Sequence, residues 1–288
     1  MFRLITEDTV PGPPLGKRMR RALARRKYKD CCTLFEEEIA GARVLRLGMQ
    51  YECGMTEEDR LAALETGLAK FAALGVRGVV APERFGQREL LERLGFALPS
   101  PAALYKKLAA KLVHRTLEEL GVPRNMAAIA LYARNPNREV CNAAEVICRE
   151  ARYLALCSPN KGEELRTELR ARFGAAVLDE LPRIDGFLRL HVFFDPLSTE
   201  GYTRGCMGGV GIALGGVESG ARVPAGVIEG AALRPPVRLA DALPVGCDRG
   251  AMLCALAACG AVKEDEITVG ELIAGGRVLD VRRRGLSA

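Results

Sequence analysis

The chain has no tryptophan, aromatic residues make up 5% of it, and it holds two histidines, His114 and His191. So few flat rings argue against a platform for stacking nucleic-acid bases. Two imidazoles far apart in sequence cannot supply the paired, closely spaced ligands that mark a zinc site, so no metal site is expected. No apolar run reaches the ~18 residues needed to cross a bilayer, and no membrane association is expected. The first residues lack the basic, apolar, small-residue order of a signal peptide, so the expected location is cytoplasmic. Missing as well are the phosphate loop G-x-x-x-x-G-K-[ST], the nucleophile elbow G-x-S-x-G and the metalloprotease H-E-x-x-H. No motif assigns a catalytic residue, a cofactor or an oligomeric state.

Cysteine, by contrast, is plentiful, with ten in 288 residues. They are scattered: Cys31 and Cys32 adjoin, Cys141 and Cys148 lie seven apart, Cys254 and Cys259 five apart, and no C-x-x-C occurs. Small buried hydrophobes in a reducing compartment are the expectation. The net charge of +6 is a small excess of 42 basic over 36 acidic residues, which is weak evidence for a nucleic-acid partner. Much of it sits in Lys17-Arg-Met-Arg-Arg-Ala-Leu-Ala-Arg-Arg-Lys27. That run reads either as a patch for RNA or an acidic surface, or as a solvated helix face with Met19 and Leu23 inward. The scarcity of aromatics favours the solvated face.

The apolar and charged shares, 49% and 27%, are those of a globular protein, and the length suits one large α/β domain or two smaller ones. Strands are expected at Cys32-Thr-Leu-Phe35, turning at Glu36-Glu-Glu38, and at Arg43-Val-Leu-Arg-Leu-Gly48 and Arg77-Gly-Val-Val-Ala81. Between them, Thr56 caps a helix whose first turn holds Glu57, Glu58 and Asp59. Its stripe of Leu61, Leu64, Leu68, Phe71 and Leu74 has helical spacing up to Gly75. A short helix follows from Gln87 to Leu94, and Ser100-Pro101 opens a long one through Leu104, Leu108, Leu112, Leu117 and Leu120. His114, within it, reads as a structural residue.

The centre of the chain is its most regular part. Met126-Ala-Ala-Ile-Ala-Leu-Tyr-Ala133 leads through Arg134-Asn-Pro-Asn137 into an amphipathic segment ending at Ala151. Arg152-Tyr-Leu-Ala-Leu-Cys157 leads through Ser158-Pro-Asn-Lys-Gly162 into another, ending at Phe173 before Ala175-Ala-Val-Leu178. Apolar runs alternating with helices of a dozen residues are the sequence form of βαβαβ and parallel strands. The run from Phe187 to Phe194 reads as the next strand. From Ser198 to Arg238 glycine is dense and loops with short irregular strands are expected. Asp248 caps a helix through Met252 and Leu256, and Glu266-Ile-Thr-Val269 with Arg277-Val-Leu-Asp-Val281 reads as short strands or a hairpin. The expected fold class is α/β, a Rossmann-like, mostly parallel sheet flanked by helices. The expected domains are an N-terminal α/β unit with a basic leader (1–99), the βαβαβ domain (100–195), and a glycine-rich region (196–288) whose C-terminal helix packs on the preceding domain.

Ligands of open parallel sheets lie beyond the carboxyl ends of strands, where helix N-termini attract anions. Those positions are the two polar hinges, and the candidate ligand-binding residues are Arg134, Asn137, Ser158, Lys161 and Gly162. Helix capping is the competing use of Asn137 and Ser158. Three further sets of residues are candidates. Cys157 and His191 would form a nucleophile–base pair if their strands adjoin, with Cys206 a further thiol. Asp179-Glu180 and Asp195 would read a ribose or hold a cation. The array Gly209-Val-Gly-Ile-Ala-Leu-Gly215 reads as tight or flexible backbone and not as a cofactor loop.

Over residues 100–195 this arrangement resembles the nucleotide-binding half of Rossmann-type dehydrogenases of the shikimate dehydrogenase kind. The resemblance implies a dinucleotide whose pyrophosphate rests on G-x-G-x-x-G. At that place stands Ala133-Arg-Asn-Pro-Asn-Arg138, without glycine. The expected function is therefore binding of a small anionic or nucleotide-like ligand, in an accessory or regulatory role, without dinucleotide redox chemistry. The alternatives are a protein- or nucleic-acid-interaction module built on the basic segment, and a divergent NAD(P)-dependent oxidoreductase.

Overall fold

The structure, a computed structural model, describes residues 2–10, 32–52, 55–73, 75, 78–82, 85–181, 185–198, 209–218, 226–244 and 246–279. The basic stretch 17–27, Cys31, Cys53 and Cys206 lie outside them. In chain order the elements are β1 (Phe2–Val10), β2 (Cys32–Ile39), β3 (Ala42–Glu52), α1 (Glu57–Ala72), β4 (Val79–Val80) and α2 (Arg88–Arg93). Then come α3 (Pro101–Lys107), α4 (Ala109–Glu119), β5 (Ala127–Tyr132), α5 (Arg138–Ile147), β6 (Tyr153–Cys157), α6 (Gly162–Phe173) and β7 (Val177–Leu178). The chain continues with β8 (Leu188–Phe193), β9 (Val210–Ala213), β10 (Val227–Ile228) and β11 (Gly230–Arg234). Last are α7 (Val237–Ala240), α8 (Arg249–Ala258), β12 (Thr268–Ala274) and β13 (Arg277–Val278).

Two compact units result, Met1–Ser100 with Pro235–Glu266, and Pro101–Arg234 with Ile267–Ala288. The segment holding α8 groups with the N-terminal unit. Its anchors are non-local: Cys247 bridges to Pro82, and Asp248 N–H donates to the Ala81 carbonyl at 3.4 Å.

The first unit is built on a four-stranded sheet in the order β2-β3-β1-β4. β1 runs parallel to both β3 and β4, while β2 is antiparallel to β3. β2 continues through Glu36–Glu38 instead of turning there, because the turn falls at Ala40 and Gly41, both at positive φ. The inner strand β1 was not anticipated at all, since Arg3, Glu7 and Asp8 interrupt its apolar run. The helix α1 starts as read, with Thr56 Oγ1 accepting from Asp59 N–H at 3.2 Å. Its Leu64, Leu68 and Phe71 are buried against Ile5, Leu47 and Met49. Each such side chain contributes about 1.5–3 kcal/mol on leaving water.

In the second unit six strands lie in the order β10-β9-β8-β5-β6-β7. Every pairing is parallel. Numbered within the sheet from β5, that order reads 3-2-1-4-5-6, the Rossmann arrangement, with the chain reversing direction between β5 and β8. The expected long helix is α3 and α4, separated at Leu108, but i to i−4 bonds continue through it (Leu108 N–H to Leu104 O, Leu112 N–H to Leu108 O, each 2.9 Å). A small antiparallel sheet, β11-β12-β13, is tied to α4 by Lys111 Nζ on Ile267 O at 2.8 Å and Arg115 Nε on Gly270 O at 3.2 Å. The hairpin β12–β13 turns at Gly275 and Gly276, both at positive φ.

The glycine-rich region supplies β9 and β10, regular members of the main sheet. Its glycines mark close approach: a Cβ on Gly209 would lie 2.6 Å from Arg189 O, and one on Gly215 2.4 Å from Asp195 C. Array and strand are the same feature, with a glycine at each end where neighbouring backbone leaves no room for a side chain.

Candidate functional site

Strands β5, β6 and β8 deliver three chain segments to the carboxyl edge of the parallel sheet. From β5 the chain turns through 133–137 into α5. Asn137 is extended, and its Oδ1 accepts from Val140 N–H at 3.1 Å, so the start of α5 is capped from within the chain. Arg134 N–H donates to Asp195 Oδ2 at 2.5 Å, drawing the segment that leaves β8 against this first corner. The guanidinium of Arg134 faces solvent, the residue being exposed.

The second corner, from β6 into α6, is built differently. Ser158 Oγ faces two carbonyls, Asn160 O at 2.8 Å and Arg134 O at 3.3 Å, and Asn160 Nδ2 donates to Asn135 Oδ1 at 3.0 Å. The two hinges are therefore stitched side by side. Lys161 then takes the left-handed conformation, φ 56° and ψ 11°, and α6 begins with no side-chain cap. A side chain pays for that conformation with about 1–2 kcal/mol, which glycine or asparagine would avoid. Gly162 is buried, and a Cβ there would meet Ser158 Cβ at 3.2 Å. Arg166, one turn on, donates from Nη1 to Leu156 O at 2.9 Å and from Nη2 to Glu163 Oε2 at 2.7 Å. That guanidinium holds the exposed Glu163 carboxyl below its ordinary range. Arg166 is thus engaged, while Arg134 and Lys161 are exposed cations on the two corners.

Just inside this edge lie Tyr132, Cys157 and His191. β6 and β8 flank β5 on opposite sides, so Cys157 and His191 are not on adjoining strands, and Tyr132 stands between them. Its hydroxyl is 3.1 Å from His191 Nδ1, and its ring stacks on Phe193 at 4.8 Å between centroids. The same phenol lowers the Cys157 thiol, against the larger effect of burial. His191 Nε2 is left without a partner, against Gly209, where an added Cβ would come within 2.9 Å. Burial first, and then the charge of Arg189, push the imidazole down to about 4. Burial pushes the Cys157 thiol up to about 11. A neutral thiol is a poor nucleophile, and the triad reads as a hydrogen-bonded packing unit.

His114 Nε2 lies 3.1 Å from Glu150 Oε2, which also accepts from Arg124 Nη1 at 2.5 Å. Asp179 and Glu180, beyond β7, are exposed, and no cluster of three metal-ligating side chains occurs among the described residues. Among the described cysteines, Cys32, Cys247 and Cys254 are buried and Cys259 is exposed. No helix among the described residues is long and apolar enough to cross a membrane.

A dinucleotide in the pose usual for this sheet order lays its pyrophosphate on the first corner. The residues do not fit it. Asn137 occupies a helix-start donor, the Asp195 carboxylate sits on Arg134 N–H, and the Asn135–Asn160 pair spans the gap toward β6. A negative charge and two amides stand where glycine would admit phosphate. Asn135 and Asn160 were missed in the sequence because they matter only as a pair, 25 residues apart.

No protein-family model matches the chain, and no curated protein matches it. Among solved structures it is similar to the crystal structure of L-tryptophan dehydrogenase from Nostoc punctiforme, at 12% identity and a TM-score of 0.25. That match covers 66% of this chain and 55% of the dehydrogenase.

Proposed function

We propose that the second corner binds a small anionic ligand, a phosphate- or carboxylate-bearing molecule of nucleotide-like size, in an accessory or regulatory role without dinucleotide redox chemistry. One observation carries the reading: α6 begins uncapped, behind a left-handed Lys161, while α5 beside it is closed by Asn137. Free N–H groups and the helix dipole favour an anion at such a start by about 0.3–1 kcal/mol, and more when partly buried. Arg134 and Lys161 add positive charge, Ser158 fixes the corner through its bond to Asn160 O, and the buried Gly162 leaves room for Ser158 and Arg166. A strained residue retained at a ligand edge is consistent with use.

Calorimetry of the full chain against inorganic phosphate, AMP, ADP, NAD and NADP tests it. Binding of a phosphate-bearing compound, weakened about tenfold by Lys161→Gly, is the expected result. That substitution removes the charge and keeps the left-handed turn. Absence of binding across the panel rejects the site, and tight binding restricted to NAD or NADP rejects the exclusion of dinucleotides.

A further inference from the structure

The first unit has a cavity of its own, of about 580 Å³, at the carboxyl ends of its parallel strands β1 and β3. That volume falls in the ~300–1,000 Å³ range of small-molecule sites. Glu7 enters from β1 and Tyr51 from β3, while Glu57, Arg60, Leu61 and Leu64 come from the first two turns of α1. Tyr51 Oη donates to Glu7 Oε1 at 3.1 Å, and the Arg60 guanidinium stands 5.5 Å from the centroid of the Tyr51 ring.

Much of the polar lining is otherwise unengaged. Glu7 Oε2, the Glu57 carboxylate and the Arg60 guanidinium have no hydrogen-bond or ion-pair partner among the described residues. Two carboxylates against one guanidinium leave the wall at a net charge of −1, which repels phosphates and other multiply charged anions. An apolar molecule would leave three charged groups desolvated without partners. A simple cation would meet Arg60 and the positive end of the α1 dipole. A ligand with one charge of each sign satisfies Arg60 and one of the two carboxylates, while the exposed Glu57 keeps its water at the positive end of the α1 dipole.

We infer that this cavity binds a zwitterion, an α-amino acid with an apolar side chain. Its carboxylate pairs with Arg60, where the planar fork suits two parallel hydrogen bonds. The ammonium pairs with Glu7, whose second oxygen Tyr51 leaves unused, and the side chain lies on Leu61 and Leu64. This site is separate from the one proposed on the second unit, and its ligand differs.

The full chain is titrated calorimetrically with L-phenylalanine, phenethylamine and 3-phenylpropanoate, which share one apolar group and differ in charge. The amino acid is expected to bind, with the amine and the acid each at least about tenfold weaker, and with Glu7→Gln and Arg60→Met each weakening it by a similar factor. Circular dichroism of both variants establishes that they fold; should Glu7→Gln fail, the exposed Arg60 decides alone. No heat at about 10 mM amino acid, equal binding of the amine or the acid, or variants that bind like the parent would each overturn the inference.

Discussion

The two corners on the carboxyl edge of the six-stranded sheet differ although the sheet offers them the same place. Each is reached from a buried parallel strand and leads into an amphipathic helix. The first is closed: Asn137 caps α5, and Asp195 takes the N–H at the start of the turn. The second is left open by a lysine in the left-handed conformation and a helix with no side-chain cap. Equivalent positions in a Rossmann arrangement are thus not equivalent sites. The difference lies in which side chain spends itself on backbone N–H groups, and here the corner that usually takes pyrophosphate is the one already occupied.

The strongest way to break the contrast is to displace Asp195. Gly215→Ala would place a Cβ 2.4–2.7 Å from Asp195 and Phe194 backbone atoms, and a clash with backbone has no flexible neighbour to absorb it. A loss of roughly 3 kcal/mol in urea unfolding is expected, with the first corner released. Next comes acid. His191 is neutral in the fold down to about 4, while its unfolded pKa is near 6.5. Between those values the unfolded chain takes up a proton that the native chain does not, so this contribution is intact above about pH 6.5 and declines as the pH falls to about 4. Allowing for screening, the decline amounts to roughly 2 kcal/mol. Unfolding curves from pH 7 to 4 should flatten by that much in His191→Gln relative to the parent.

Smaller effects sharpen the contrast between the corners themselves. Asn137→Ala should cost about 1 kcal/mol of stability, the usual loss on removing a cap, and thermal unfolding reads it directly. Lys161→Gly should do the opposite, stabilising the fold by up to about 1 kcal/mol because glycine adopts positive φ without a clashing Cβ. A stabilised protein that has also lost anion binding would identify the second corner as strained for use. A destabilised one would mean that the lysine side chain holds the turn.

Much of this was legible from residues close together in sequence. Thr56, Asn137 and Asp248 cap the helices they precede, each accepting from the N–H three residues on. The strands β5, β6 and β8 follow from their apolar runs, and the two polar hinges between strand and helix do meet on one edge. The strand β1 is not legible because its charges break the alternation, and the short strands expected between Ser198 and Arg238 had no positions because glycine reads as loop wherever its neighbours are unknown.

Sequence by itself therefore determined the periodic elements, their caps and the parallel character of the central sheet, because helix starts and amphipathic faces are decided within a few residues. Only the tertiary structure decided that Asn135 would bond to Asn160, that Asp195 would reach Arg134, and that Pro235–Glu266 would join the first unit. Those pairings join residues 25 to more than 60 positions apart, and their partners are selected by strand order and backbone clearance, which no local pattern encodes.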